Sequence, residues 1–108
     1  MLTLPTGIKV FISKEPVNMN KSFDGLASLI TNNFNQNPQS GTLFIFFNRY
    51  CNKVKILYWD RNGFAIWYKR LESGKYRLPT IQQNLYKISI SDLNLLLEGI
   101  DLNDKNRN

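Results

Sequence analysis

Between residues 49 and 77 the chain concentrates the two kinds of side chain that contact nucleic acid, basic groups and flat aromatic rings. Eight bases and only two acids lie in this stretch, which accounts for the net charge of +6 carried by the chain. Basic groups neutralise phosphates, and aromatic rings stack on bases. The stretch therefore predicts contact with a polyanion that has stackable bases. The candidate contact residues are Lys53, Lys55, Trp59, Arg61, Trp67, Lys69, Arg70 and Lys75.

The residue types limit catalysis. The chain has no histidine, a single cysteine (Cys51) and six isolated glycines. These counts exclude histidine-activated nucleophiles, histidine or multi-thiolate zinc sites and a glycine-rich phosphate loop. We therefore predict that the protein is not an enzyme and holds neither a metal nor a cofactor. The enzymatic alternative is a nuclease-like site in which Asp60 and Glu72 bind a metal ion.

Length and cysteine usage indicate the organisation and the compartment. A chain of 108 residues predicts one domain, with a folded core over 1–100 and a frayed tail over 101–108. A lone cysteine favours a reducing cytoplasm. The sequence shows neither a secretory leader nor an apolar run long enough for a membrane helix, so we expect a cytoplasmic protein with no membrane partner.

Hydrophobic periodicity predicts the elements that position the candidate residues. The fold class we predict is α+β, an antiparallel sheet meander with one N-terminal helix and one short C-terminal helix. Asn18 or Asn20 is expected to cap the first helix, Ser89 or Ser91 the last one, and Gly99 to end it. The predicted strands cover residues 8–13, 42–48, 53–60, 64–71 and 82–88, and the first helix covers 19–34.

The Asn-Gly pair at 62–63 indicates a tight turn with two possible registers. A two-residue loop pairs Arg61 with Phe64. A three-residue loop pairs Asp60 with Phe64 and places Gly63 at positive φ. We favour the three-residue loop, because it sorts the side chains onto one apolar face and one basic face.

The favoured register makes a specific prediction about both faces. The apolar face, which the first helix would cover, carries Val54, Ile56, Tyr58, Phe64, Ile66 and Tyr68. The opposite face carries Lys53, Lys55, Leu57, Trp59, Ala65, Trp67 and Lys69. An alternative remains open for the two tryptophans, which would be core residues beneath the terminal helix.

Several segments, in chain order, resemble one protein family. They are LPTG at 4–7, NMNKSFDGL at 18–26, GTLFIF at 41–46, KILYWD at 55–60, GF at 63–64, YKRLESG at 68–74 with Pro79, and LLEGID at 96–101. Together they resemble the TnpB accessory protein of transposons of the insertion sequence sixty-six type, which is distinct from the RNA-guided nuclease of the same name. Asn18 and Asn20 stand where that family usually has Asp and Arg.

The resemblance implies a bacterial mobile-element protein that acts beside a DDE transposase and a further accessory protein. Combined with the basic stretch, it predicts a non-catalytic accessory factor for transposition that binds DNA, namely the transposon ends, through the hairpin face. The alternative is a protein–protein adaptor that docks on the transposase. The two differ in salt dependence, because phosphate contacts weaken steeply as salt rises.

Overall fold

A βαβ unit begins the fold and sets the order of the sheet. The computed structural model describes residues 7–102. Along the chain the elements are β1 Val10–Ser13, α1 Phe23–Asn32, β2 Leu43–Phe47, β3 Lys53–Asp60, β4 Gly63–Arg70, β5 Leu85–Ile88 and α2 Ile90–Leu97. The five strands lie in the order β4-β3-β2-β1-β5. The result is a single α+β domain with a radius of gyration of 13.3 Å.

The predicted antiparallel meander is correct for β2, β3 and β4 and wrong for the first strand pair. β1 runs parallel to β2, whereas β3 and β5 pair antiparallel with their neighbours. The cause is α1, which crosses one face of the sheet and returns the chain to the end at which β1 began. The sheet is therefore mixed, and β1 separates β5 from the meander.

Both faces of the sheet are covered. On one face α1 packs through Leu26 and Ile30 against Phe44, Phe46 and Leu57. On the other face, a larger cluster joins the alternate residues of the same strands to α2 and to Tyr76. All five residues of β2 are buried, which confirms the prediction of an inner strand that is apolar on both sides. β2 consequently has no solvent face.

The helix ends differ in how well they were predicted. α1 begins at Phe23 with Ser22 before it, so the predicted start at residue 19 and the predicted cap by Asn18 or Asn20 are wrong. The Asn18 side chain instead forms a local turn by accepting from the Asn20 N–H at 2.8 Å. The Ser89 hydroxyl caps α2 by accepting from the Asp92 N–H at 3.0 Å, as one alternative predicted. Gly99 has φ 86°, and this left-handed residue ends α2 as expected.

Beyond α2 the chain continues into the core. Leu102 is buried in the cluster beneath α2. The rest of the predicted frayed tail, 103–108, lies outside the described residues, as do residues 1–6. In the described part of the chain, neither helix has the length and apolar character needed to cross a membrane.

Candidate nucleic-acid interface

The β3–β4 hairpin has a register that neither sequence-based alternative included. Asp60 pairs with Gly63, so the loop consists of Arg61 and Asn62 alone. Arg61 has φ 57°, and Gly63 is not in the left-handed region, so the predicted conformation of Gly63 is wrong.

The observed register places apolar pairs on both faces of the hairpin. Leu57 lies opposite Ile66 on one face, and Ile56 opposite Trp67 on the other. The prediction assumed that one face of the hairpin is exposed to solvent, whereas both faces are covered. The three-residue loop was chosen because it sorts apolar and basic side chains onto separate faces, and this criterion does not apply to a hairpin covered on both sides. The face assignment changes accordingly.

The two tryptophans lie on opposite faces, and the predicted face carrying both of them is wrong. Trp67 packs against the cluster beneath α2, which confirms the core alternative for this residue. Trp59 pairs with Phe64, and their rings meet edge to face with centroids 5.1 Å apart. Both indoles are partly buried. The first helix also lies on the Leu57 side, not over Val54 and Ile56 as predicted.

Lys55 is a buried residue with partners inside the protein. Only 7% of its surface is exposed. Its ammonium donates to the carbonyl oxygens of Met19 and Lys21, each at 2.7 Å, and lies 4.9 Å from the centroid of the Tyr68 ring. These contacts fasten the segment before α1 to the hairpin. Its Nζ is therefore directed towards the protein's own backbone, which leaves it poorly placed for a phosphate.

Arg61 lies at the far tip of the hairpin. Its side chain is 91% exposed and lies 3.6 Å from the Asp60 carboxylate. In the turn, the backbone carbonyl of Asp60 accepts a hydrogen bond from the Asn62 N–H. β3 spans roughly 24 Å at about 3.4 Å per residue, so Arg61 is remote from the bases at the other end.

At the base of the hairpin, two irregular segments are joined to each other. The turn before β3 is fixed by the Asn48 side chain, whose oxygen accepts from the N–H groups of Asn52 and Lys53 at 3.0 and 2.9 Å. Cys51 in this turn has φ 62°. The segment after β4 docks on the same turn, because the Tyr76 N–H donates to the Cys51 carbonyl at 2.8 Å. The hairpin base is thus built on several well-defined hydrogen bonds.

Most of the remaining candidate bases gather at this end. One cleft of about 490 Å³ is lined by Arg49, Tyr50 and Lys53 together with the 16–20 segment. An adjoining cleft of about 380 Å³ is lined by Lys53, Tyr68, Arg70 and Glu72. Lys53 is common to both. We call the following set the hairpin-base surface: Arg49, Tyr50, Lys53, Tyr68, Arg70 and Lys75.

Two aromatic rings accompany these bases. Tyr50 is 62% exposed and Tyr68 is 49% exposed. The Lys75 ammonium lies 4.2 Å from the centroid of the Tyr50 ring, which brings this base to the surface as well. The candidates predicted from the sequence did not include Arg49, Tyr50 and Tyr68, which the structure places beside Lys53 at this end of the hairpin. All three lie in the basic aromatic stretch, but the wrong register assigned Tyr68 to the apolar face.

Acidic groups are sparse at the hairpin base. Arg70 Nε lies 3.2 Å from a Glu72 carboxylate oxygen, and both side chains are exposed, so this pair contributes little to stability. Lys69 pairs with Val54 on the opposite face from Lys53 and is exposed. It stands beside the hairpin-base surface, not within either cleft.

The arrangement offers little for metal or nucleophilic chemistry. Asp60 and Glu72 lie beyond opposite ends of β4, so the two carboxylates proposed for a nuclease-like site do not meet. In residues 7–102 no group of three or more acidic or thiol side chains could hold a metal ion. Burial raises the pKa of the Cys51 thiol, and the nearby Lys75 ammonium opposes this only partly. A raised pKa makes Cys51 a poor nucleophile near neutral pH.

The fold and this surface define a small α+β domain with a basic aromatic region at one end of its sheet. Residues 8–107 match the family model described as "IS66 Orf2 like protein", and the chain belongs to this family. The resemblance found in the sequence is thereby confirmed. Membership supports an accessory role in the transposition of IS66 insertion sequences and an association with the transposition machinery.

Two similar proteins come from Sinorhizobium fredii (strain NBRC 101917 / NGR234). One carries the name "Uncharacterized protein y4jC" and is 28% identical over 95 residues, which cover 88% of this chain and 81% of the relative. The other, "Uncharacterized protein y4hO", is 32% identical over 100 residues, which cover 91% of this chain and 87% of the relative. No solved structure matches the chain.

Proposed function

We propose that this protein is a non-catalytic accessory factor for transposition that binds the DNA of the transposon ends through the hairpin-base surface. The observation that carries the proposal is the grouping of Arg49, Lys53 and Arg70 around two adjoining clefts, with Lys75 over the Tyr50 ring and Glu72 as the acid beside them. Lys69 extends the same positive region around the sheet edge. This set replaces the predicted face, because Lys55 is occupied within the protein and Arg61 lies at the distant tip.

Charge geometry favours a polyanion as the ligand. A cluster of bases on a rigid support attracts phosphates at long range and releases counterions when they bind. The hydrogen-bonded turn holds Arg49 and Lys53 close together, and β4 brings Arg70 opposite Lys53. Bases of this kind position a DNA backbone without reading its sequence. The binding should therefore be strongly salt-dependent and weakly sequence-specific.

The test compares two triple variants that remove the same charge. Changing Arg49, Lys53 and Arg70 to Ala removes bases from the surface, whereas changing Lys9, Lys14 and Lys87 to Ala removes exposed bases near β1 and β5. Affinity for duplex DNA from the element's ends is measured by fluorescence anisotropy over a range of salt concentrations. Removing about three phosphate contacts should lower the slope of log affinity against log salt by about 2.7.

The control triple variant should change the salt slope much less, although its net charge is the same. If both variants weaken binding equally, the contact is a non-specific effect of net charge and the proposed surface is wrong. Circular dichroism and thermal unfolding of both variants establish that the fold is retained. A wild-type protein that fails to bind the element's DNA at low salt would refute the proposal outright.

A second candidate function is supported by a different observation, the outer edge of β4. This eight-residue strand ends the sheet, and within the described chain no strand pairs with its outer side. An unpaired edge can accept a strand from another protein. The alternative function is therefore an adaptor that docks on the element's transposase through β4.

The β3–β4 register permits a focused test of the adaptor function. Leu71 donates to Asn52 across the hairpin, so by alternation Ile66 directs its N–H away from β3. Ile66→Pro removes this outward donor together with the isoleucine side chain. Ile66→Ala also removes the packing of that side chain but keeps the N–H, so it is the matched control. If the transposase binds β4, co-purification should be lost with Pro and retained with Ala. Equal retention in both variants would refute docking at this edge.

A further inference from the structure

Tyr50 and Tyr68 have no evident role in the core, although both are large aromatic residues. Tyr50 is 62% exposed and Tyr68 is 49% exposed, whereas Tyr76 is 3% exposed and packs in the cluster beneath α2. Exposed rings beside clustered bases occur where nucleic-acid bases stack. The placement of the two rings therefore favours a ligand that presents the flat faces of bases as well as phosphates.

Each of the two rings is held by a lysine. The Lys75 ammonium lies 4.2 Å from the centroid of the Tyr50 ring. The Lys55 ammonium lies 4.9 Å from the centroid of the Tyr68 ring and is itself fixed by carbonyl oxygens. Cation–π contacts of this kind orient a ring that is otherwise free in solvent. Binding then requires little additional ordering, which favours affinity.

The clefts alternate rings and bases along one end of the sheet. Tyr50 and Arg49 line the first cleft, Tyr68 and Arg70 line the second, and Lys53 lies between them in both. Duplex DNA presents phosphates to such a surface but keeps its base faces stacked inside. A single strand presents both phosphates and base faces. Only the single strand can use all the groups on this surface.

We propose, building on the DNA-binding function above, that the hairpin-base surface takes single-stranded DNA. The rings of Tyr50 and Tyr68 stack on two bases, and Lys53 contacts the backbone between them. Arg49 and Arg70 contact the flanking phosphates.

The experiment compares a fluorescein-labelled oligothymidine with a duplex of the same length, by anisotropy at several salt concentrations. The wild-type protein should bind the single strand more tightly than the duplex. Tyr50→Leu combined with Tyr68→Leu should weaken single-strand binding by about 30-fold or more, because two stacked bases are lost. Duplex affinity should fall by a much smaller factor than single-strand affinity, and the salt slope should not change, because no phosphate contact is removed.

Two further variants separate stacking from folding. Tyr50→Phe combined with Tyr68→Phe keeps both rings and should retain single-strand affinity. Tyr86→Leu makes the same chemical change in β5, at the opposite edge of the sheet, and should leave binding unchanged.

The outcomes distinguish this inference from the function on which it rests. If the Leu variant loses duplex and single-strand affinity equally, or if the Phe variant fails as well, the stacking inference is overturned while DNA binding stands. If the wild-type protein binds neither probe at low salt, the proposed function itself is wrong.

Discussion

Lys55→Met tests whether Lys55 stabilises the fold and not a DNA complex. The substitution keeps most of the aliphatic stem in place and removes the ammonium. In the native protein that ammonium donates two hydrogen bonds, to the carbonyls of Met19 and Lys21, each at 2.7 Å. It also lies over the Tyr68 ring. The change therefore detaches the 19–21 segment from the hairpin.

The expected cost follows from these contacts. Hydrogen bonds that involve a charged group contribute about 1.5–3 kcal/mol each. Met19 is partly buried and Lys21 exposed, so water can reach the carbonyls and the lower end of this range applies. We therefore expect the free energy of unfolding to fall by about 3 kcal/mol. In a domain of this size, that loss lowers the melting temperature by about 12–24 °C.

Urea denaturation and thermal unfolding measure the effect, with Lys53→Met as the matched control. Lys53 precedes Lys55 on the same face, and within residues 7–102 its ammonium makes no hydrogen bond or ion pair. Its substitution should cost less than about 0.5 kcal/mol. In the DNA-binding assay, the slope of log affinity against log salt should fall for the Lys53 variant and stay unchanged for the Lys55 variant. Equal stability of the two variants would refute the structural role of Lys55.

Three further predictions concern other parts of the hairpin. Arg61→Gly should raise the free energy of unfolding in urea by about 0.5–1 kcal/mol, because glycine adopts a positive φ without strain. DNA affinity should be unchanged, and a loss of affinity would show that Arg61 contacts DNA. Glu72→Gln frees Arg70 from its ion pair and should tighten DNA binding at low salt, with a steeper salt slope, in the anisotropy assay; unchanged binding would exclude Arg70 as a contact. Burial raises the pKa of Cys51 and of Tyr76, so the folded chain retains protons that the unfolded chain releases. Each group contributes fully to the free energy of unfolding at pH values below its pKa in the unfolded chain, which is about 8.5 for Cys51 and about 10 for Tyr76. This contribution declines as the pH rises above those values. Cys51→Ala should lessen the fall in urea stability near about pH 9, and identical pH profiles for the variant and the wild type would contradict this.

The sequence carried enough information to predict the individual elements. Alternation and turn residues placed β3 at its observed bounds, and the apolar run of β2 identified a strand buried on both sides. Ser89 and Gly99 were correctly predicted at the ends of α2, because capping depends on neighbouring residues. Local chemistry therefore sufficed wherever the decisive contacts were local.

Long-range pairing was where prediction from the sequence failed. The β1–β2 pair is parallel because α1 returns the chain to the end of the sheet at which β1 began, and periodicity contains no information about that return. The predicted hairpin register was wrong for a related reason. Separate elements cover both faces of the hairpin, so it lacks the polar face on which the choice of the three-residue loop was based. Lys53 and Lys55 share a face and a residue type, yet only Lys55 lies beneath the 19–21 segment. Sequence alone cannot separate two such lysines.

The position of the exposed bases distinguishes binding from edge protection. Lysines and arginines on an edge strand prevent it from pairing with other chains, and Lys69 and Arg70 at the end of β4 are suited to that role. Lys75 lies on the segment after β4, over the Tyr50 ring, and Arg49 lies in the turn before β3. Bases in these segments do nothing to block the β4 edge. Arg49 and Arg70 line the two clefts that share Lys53, and Lys75 lies over the ring of Tyr50, which lines the first of them. The charge is therefore concentrated around a concave surface, and this concentration favours a phosphate ligand over edge protection alone.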